Sequence, residues 1–215
     1  MPFKPGNKLG GRKKGSVNHS TAEIREHYKN LIDKDVAECL YAGIMTDTGS
    51  FKFNSTTAKT HHIIAELIAT GAENAKIHDL IYDNSSANRM KILGYCLNKK
   101  LLLYPENNSA VISLTAEELE KFEFKKGDTE GIVNYALAIK GIVFAVFIAE
   151  KDGMVKLSLR SKGNFKVNEI ANKYFSGGGH MNASGGISEA SVNDTIKIVE
   201  KIIKDNKTEL NNQNN

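Results

Sequence analysis

One short segment restricts the fold more than any other: three consecutive glycines lead directly into a histidine, in the stretch IANKYFSGGGHMNASGG. A segment with helical apolar periodicity, residues 167–175, precedes the run, and a second small-residue stretch, residues 183–186, follows it. Glycine runs also form flexible linkers, but patterned segments on both sides argue against a linker here. Backbone without Cβ atoms can approach another group closely, and its N–H groups can converge on one anion. The run therefore predicts a close backbone contact, and a phosphate-binding nest at Gly177, Gly178 and Gly179 is the functional alternative to a plain loop.

Three further residues near the glycines are typical of phosphate sites. Arg160 and Ser161 lie at the end of a predicted strand, and His180 closes the glycine run. Arginine offers a forked cation and serine a hydroxyl, and both are common phosphate ligands. A phosphate site near these residues is therefore our hypothesis from the residues alone.

Length and composition indicate a globular protein. A chain of 215 residues with 40% hydrophobic content can bury a core, as one large domain or two small ones. We find no apolar run long enough to span a bilayer and no secretory h-region, so we expect no membrane association. The two cysteines, Cys39 and Cys96, lack CxxC spacing and predict reduced thiols in a cytoplasmic protein.

The formal charge of +4 is concentrated in the first 33 residues. This segment holds seven lysines and arginines against three acidic residues, whereas the remainder has 22 of each sign. Its Gly, Pro, Asn and Lys content predicts a basic, disordered arm over residues 1–33. Such an arm can bind nucleic acid non-specifically through phosphate charge, and a solvated tail without a partner is the alternative.

Apolar spacing predicts an α/β fold with a mixed sheet. Helices are predicted through DVAECLYAGIMTD and AKTHHIIAELIATG, then over residues 75–82 and 87–98, with a domain boundary near residues 95–105. AVISL predicts a strand, and the T-x-x-E spacing from Thr115 to Glu118 predicts a capping box. GIVFAVFIAE and MVKLSLRS predict a hairpin that ends at Arg160. A last amphipathic helix, residues 192–203, is expected to pack on the sheet before a polar tail.

Asp47 is the second candidate site. It falls where a helix is predicted to end, and a carboxylate there meets the negative end of the helix dipole. A divalent metal ion would compensate, and Mg²⁺ and Mn²⁺ prefer carboxylate oxygens. An aspartate that caps its own turn is the alternative.

Four separated segments carry a resemblance to a known family: LYAGIMTDTGSFKF, TEGIVNYALAIKG, VKLSLRSKGNFKVNEIA and GGGHMNASGG. In this order they resemble the C-terminal portion of the DHH phosphoesterase family, in its bacterial oligoribonuclease (nano-RNase) and adenosine 3′,5′-bisphosphate phosphatase branch. The resemblance extends from about residue 34 to residue 203. It implies a helical remnant of a DHH domain over residues 34–98, a DHH-associated substrate-binding domain over 99–205 and a polar tail over 206–215.

The resemblance also implies roles for individual residues. Asp47 matches a metal motif of the family and would be a catalytic ligand of paired Mn²⁺ ions. The C-terminal motifs would bind substrate, with Arg160 and the glycine amides on phosphate and His180 on phosphate or nucleotide; the matching residues are Arg160, Ser161, Gly177, Gly178, Gly179 and His180. The implied substrates are short oligoribonucleotides or adenosine 3′,5′-bisphosphate, and formation of a homodimer is left open.

The chain departs from the family pattern in its metal ligands. The Asp-x-Asp and Asp-His-His motifs are missing, because Asp33-Lys34-Asp35 leads directly into a helix and His61-His62 follows Thr60. One carboxylate is not enough for a two-metal centre, so we expect a truncated or rearranged gene product and leave open whether it is itself an enzyme.

The sequence leaves three functional hypotheses. The first is Mn²⁺-dependent hydrolysis of short oligonucleotides or adenosine bisphosphate. The second is a nucleotide-binding module without catalysis. The third is nucleic-acid binding through the basic arm.

Overall fold

The computed structural model describes residues 31–212, which divide between Asn84 and Ser85 into two compact units. The predicted basic arm lies outside the described residues except for residues 31–33. The predicted boundary near residues 95–105 differs from the observed division. The reason is that Ile92, in the helix before that boundary, and Cys96, in the π-helical turn Cys96–Lys100 that follows it, are fully buried in a core cluster of the second unit.

The first unit is helical, as predicted. It consists of α1 (Lys34–Asp47), α2 (Ala58–Ala69) and α3 (Asn74–Tyr82). Asp33 caps α1 by accepting a hydrogen bond from the Val36 amide at 2.9 Å. Thr57 and Thr60 form a capping box at the start of α2. One apolar cluster holds the unit together; its buried members are Ala37, Tyr41, Met45, Ile64, Leu67, Ala72 and Ile77.

The second unit is a mixed sheet with helices on both faces. Its strands are β1 (Leu101–Tyr104), β2 (Ser109–Leu114), β3 (Phe144–Lys151), β4 (Met154–Ser161), β5 (Gly178–His180) and β6 (Ala183–Ser188). Its helices are α4 (Ala87–Tyr95), α5 (Ala116–Lys121), α6 (Ile132–Leu137), α7 (Val167–Tyr174), α8 (Val192–Asp205) and α9 (Lys207–Asn211). The strand order is β1-β2-β3-β4-β6-β5, in which β2 and β3 are parallel and every other neighbouring pair is antiparallel. The predicted α/β fold with a mixed sheet is confirmed.

Strand β3 separates two apolar cores. Phe144, Val146 and Ile148 belong to the cluster that includes residues of α7 and α8, whereas Ala145, Phe147 and Ala149 belong to the cluster that includes residues of α4, α5 and α6. Successive strand residues point to opposite faces, so a strand apolar throughout has helices on both sides. This double burial explains the continuous apolar character of GIVFAVFIAE.

Three segments differ from the sequence prediction. The SGGGH run forms the edge strand β5 instead of a loop, and LLLY forms β1 before the predicted first strand. The predicted polar tail contains α9, which folds because Leu210 is fully buried in the α7 and α8 core. Within residues 31–212, no helix is both long and apolar enough to cross a bilayer.

Candidate functional site

The hairpin of β3 and β4 places Arg160 on one face of the sheet. Along β4, Val155, Leu157 and Leu159 are buried in the α7 and α8 core, whereas the alternate residues are only half-buried. Because side chains alternate along a strand, these alternate residues share the opposite face. They are Lys156, Ser158 and Arg160.

Strand register brings Arg160 and His180 into one row. Arg160 pairs with Ala183 of β6, and Ala183 pairs in turn with His180 of β5. Directly paired residues of antiparallel strands point to the same face, and neighbouring strands lie about 4.8 Å apart. The two predicted ligands therefore lie on one face, with only the small side chain of Ala183 between them.

Arg160 is a half-buried cation that forms no salt bridge among the described residues. Its Nη1 donates to the carbonyl oxygens of Leu159 at 3.0 Å and Ser184 at 3.4 Å. Burial lowers the pKa of its guanidinium, and the charge of the Glu130 carboxylate acts to raise that pKa, but an arginine stays protonated in proteins. A guanidinium group that is partly desolvated and forms no salt bridge favours an anionic ligand.

The glycine run lets β5 lie against β6 and leaves a bare surface above it. A Cβ atom at Gly177 would lie 2.1 Å from the Gly185 carbonyl oxygen, and one at Gly179 would lie 2.6 Å from that of Ala183. At Gly178 a Cβ atom would meet nothing within 4 Å. Gly178, Gly179 and His180 are exposed.

The predicted nest of amides is not formed as a separate turn. The Gly177 amide donates to the Ala171 carbonyl at 3.0 Å, and the next residues pair with β6 as an edge strand. Glycine serves close strand packing at Gly177 and Gly179, while Gly178 contributes open surface. The binding role that the resemblance implies for these three glycines stays a prediction.

Ser161 lies on the opposite face from Arg160. Its hydroxyl is buried, donates to the Phe165 carbonyl at 2.5 Å and accepts from the side-chain amide of Asn182 at 2.9 Å. Asn182 also donates to the Gly163 carbonyl at 3.0 Å. This geometry gives Ser161 and Asn182 a structural role in the loop after β4, and substrate contact by Ser161 stays a prediction.

Asp47 is the exposed last residue of α1 in the helical unit. The turn-capping role considered for it belongs to Thr48, whose hydroxyl donates to the Ile44 carbonyl at 2.7 Å and accepts from the Phe51 amide at 3.1 Å. Gly49, Ser50 and Phe51 then follow with φ of 57°, 56° and 66°, so the chain turns left-handed directly after Thr48. Two of the three carry side chains, which makes this a costly conformation.

The described residues do not fit a paired metal centre. Between residues 31 and 212, no group of three or more His, Cys, Asp or Glu side chains is placed to hold a metal ion. The His62 ring bonds its own helix at the Ala58 carbonyl, and the His78 ring lies 3.3 Å from the Tyr41 hydroxyl. Both contacts are typical of ordinary helix residues.

Three residues on the Arg160 face were missed by the sequence analysis. Lys156 and Ser158 point with Arg160, and Ile187 of β6 pairs with Lys156. The signal was available in MVKLSLRS, because polar and apolar residues alternate there with the period of a strand.

Comparisons with known proteins match most of the second unit to a known domain family. Residues 107–205 match the DHHA1 domain. A bifunctional oligoribonuclease and PAP phosphatase NrnA from Bacillus subtilis is 36% identical over 163 residues, which cover 76% of this chain and 50% of that protein. The protein of the same name from Thermus thermophilus is 28% identical, over 79% of this chain and 52% of that protein.

A solved structure agrees with these matches. An exopolyphosphatase-related protein from Bacteroides fragilis superposes with a TM-score of 0.83 at 42% identity, covering 87% of this chain and 55% of that one. The chain thus spans about half the length of the relatives it matches. Residues 107–205 of the chain therefore form a DHHA1 domain, and the chain is similar to the C-terminal part of the NrnA proteins.

Proposed function

We propose that the chain acts in phosphoester hydrolysis on short oligonucleotides or adenosine 3′,5′-bisphosphate, and that its DHHA1 domain binds the phosphate of the substrate. The observation that carries this proposal is that Arg160, which forms no salt bridge among the described residues, lies in one row with the exposed His180. The names of the matching relatives, oligoribonuclease and PAP phosphatase, support the same substrate class.

The proposed binding mode follows from charge and shape. Arg160 can direct its remaining N–H groups at a phosphoryl oxygen, because only Nη1 is engaged by backbone carbonyls. The His180 ring, two strands away in the same row, can donate to a second oxygen or contact the sugar. The exposed backbone at Gly178 and Gly185 lets the ligand lie close to the sheet without steric hindrance.

Manganese binding by Asp47 is a separate proposal, which rests on the family resemblance alone. Its carboxylate is exposed, and the described residues supply no further ligand group, so we derive no catalytic step through a metal ion. The proposed phosphate binding does not depend on that step. It holds equally for a hydrolase and for a nucleotide-binding module.

Isothermal titration of the full chain with a 5′-phosphorylated diadenosine nucleotide tests the proposal. We expect binding that Arg160→Ala weakens on the order of tenfold to a hundredfold, since a hydrogen bond to a charged group contributes about 1.5–3 kcal/mol. Arg160→Lys keeps the charge and loses the fork, so it should give an intermediate affinity.

Two results would contradict the proposal. One is the absence of heat for the wild-type chain at millimolar ligand. The other is an Arg160→Ala variant that binds as tightly as the wild type, which would place nucleotide binding elsewhere and favour the basic segment of residues 1–33.

A further inference from the structure

Beside the α4, α5 and α6 core, strands β4, β6 and β5 present three parallel rows of partly exposed residues on the Arg160 face of the sheet, and the Arg160 row is the first. In the second row, Ser158 pairs with Gly185, which pairs with Gly178. In the third row, Lys156 pairs with Ile187. Each row lies two residues further along β4, which is roughly 7 Å per step. The face therefore extends about 14 Å from Arg160 to Lys156.

The middle row is a floor of backbone. A Cβ atom at Gly178 would meet nothing within 4 Å, and at Gly185 its nearest neighbour would be the Leu157 carbonyl oxygen at 3.4 Å. Packing therefore leaves room for side chains at both positions, yet glycine occupies them. An extended ligand can cross this row in contact with the sheet.

The third row offers a cation beside an exposed apolar side chain. The Lys156 side chain is 42% exposed, and its one ion pair, to the Asp152 carboxylate at 3.6 Å, is a surface contact worth little. Ile187 is 41% exposed in register with it. A cation and an apolar contact side by side suit a phosphate attached to a sugar and a base.

We propose that Lys156 and Ile187 form a second nucleotide subsite, which binds a nucleotide further along the strand whose first nucleotide is held at Arg160 and His180. This inference rests on the proposed function and deepens it, because it makes the surface one for chains of nucleotides. Lys156 pairs with the phosphate of the second nucleotide, and Ile187 packs against its sugar or base. The two cations of the face then follow the backbone of an extended strand across the glycine floor.

The test compares ligands of different length on the full chain. Adenosine 5′-monophosphate and a 5′-phosphorylated triadenosine nucleotide are titrated at several salt concentrations into four proteins: wild type, Lys156→Ala, Ile187→Ala and Lys201→Ala. Lys201 is the matched control, because it is a surface lysine paired with an aspartate four residues away, on a helix that packs against the other face. Arg160→Ala serves as the probe of the first subsite.

We expect Lys156→Ala and Ile187→Ala to weaken trinucleotide binding several-fold and to leave the mononucleotide unchanged. Lys156→Ala should also lower the slope of log affinity against log salt by roughly 0.7 for the trinucleotide, the value for one phosphate contact on a single strand. Ile187→Ala and Lys201→Ala should keep the wild-type slope.

The outcomes separate the second subsite from the proposed function. If Arg160→Ala weakens both ligands while Lys156→Ala and Ile187→Ala match Lys201→Ala, the second subsite is wrong and the first stands. If Lys156→Ala weakens the mononucleotide as much as the trinucleotide, the second subsite is also wrong. If Arg160→Ala changes neither ligand, or if neither binds the wild type, the proposed function itself fails and the second subsite with it.

Discussion

At the scale of single residues, the three glycines of one run differ in what they tolerate. A Cβ atom at Gly177 would lie 2.1 Å from a backbone oxygen, whereas one at Gly178 would meet nothing within 4 Å. We expect Gly177→Ala to destabilise the second unit by a few kcal/mol, because the clash is with backbone that cannot rotate away. Gly178→Val should keep wild-type stability, since its side chain points into open space on a strand that favours β-branched residues.

Urea unfolding and nucleotide titration of the two glycine variants check this prediction together. Gly178→Val should fold like the wild type and yet lose affinity, because its side chain covers the glycine floor. Equal stability of Gly177→Ala and the wild type would mean that β5 does not lie where we describe it. Unchanged affinity of Gly178→Val would mean that the floor is not part of the binding surface.

The two cysteines should differ sharply in reactivity. Cys39 is exposed on α1, whereas Cys96 is fully buried, and burial raises the pKa of the Cys96 thiol to about 12. A thiol reagent at neutral pH should therefore modify one cysteine in the folded chain and two in denaturant, because the thiolate is the reactive form. Mass spectrometry identifies the sites, and rapid labelling of Cys96 in the native chain would contradict the assignment of its burial.

The same shift predicts a loss of stability at alkaline pH. The folded pKa of Cys96 is raised above the unfolded value, so its contribution is complete below about pH 9 and is lost as the pH rises towards 12. The unfolding free energy of the wild type should fall across this window by up to about 1.4 kcal/mol per pH unit relative to Cys96→Ala. Parallel pH profiles of the two proteins in urea unfolding would refute the raised pKa.

The sequence predicted that Arg160, His180 and the glycines form one site, first from residue types common in phosphate sites and then from the family resemblance. It could also have separated Arg160 from Ser161, since adjacent residues of a strand face opposite sides. The pairing of Lys156 with Ile187 could not be predicted from the sequence. That contact depends on the register of β4 against β6, which the local sequence pattern of either strand does not specify.

At the scale of elements, the helix α5 depends on the capping residue that precedes it, Thr115. Thr115 accepts from the Glu118 amide at 3.2 Å, and the Thr115 amide donates to the Glu118 carboxylate at 2.9 Å, which confirms the predicted capping box. We expect Thr115→Ala to lower the free energy of unfolding by about 1 kcal/mol. Thr208→Ala, at an exposed position of α9, is the control and should change it little. Equal unfolding midpoints in urea for the two variants would show that the cap contributes nothing.

Local patterns predicted the elements that have strong side-chain periodicity. The helices α1, α2, α7 and α8 and the β3–β4 hairpin carry apolar residues at the spacing of their structure, and all were predicted. Strand β5 has no such signal, because three glycines have no side chains to show a period. It is a strand because β6 offers it a paired edge, which is a tertiary cause invisible to local analysis.

At the scale of the whole molecule, the position of the division between the two units makes a prediction about fragments. A fragment of residues 85–215 contains both core clusters of the second unit, whereas one of residues 99–215 lacks Ile92 and Cys96, which are fully buried. We expect the longer fragment to unfold cooperatively and to bind nucleotide. The shorter one should be less stable by several kcal/mol, because the empty space left by α4 exposes the sheet. Equal thermal unfolding of the two fragments would favour the later boundary.

The central claim is that a nucleotide phosphate binds to the second unit on the Arg160 face of β4, β6 and β5. The most direct test is a titration of the isotope-labelled full chain with a 5′-phosphorylated diadenosine nucleotide, followed by amide chemical shifts in NMR. We predict that the largest shift changes fall on Arg160, Gly178, His180, Ala183 and Gly185, which share that face. Changes confined to residues 1–33, or to the helices behind the sheet, would contradict the claim.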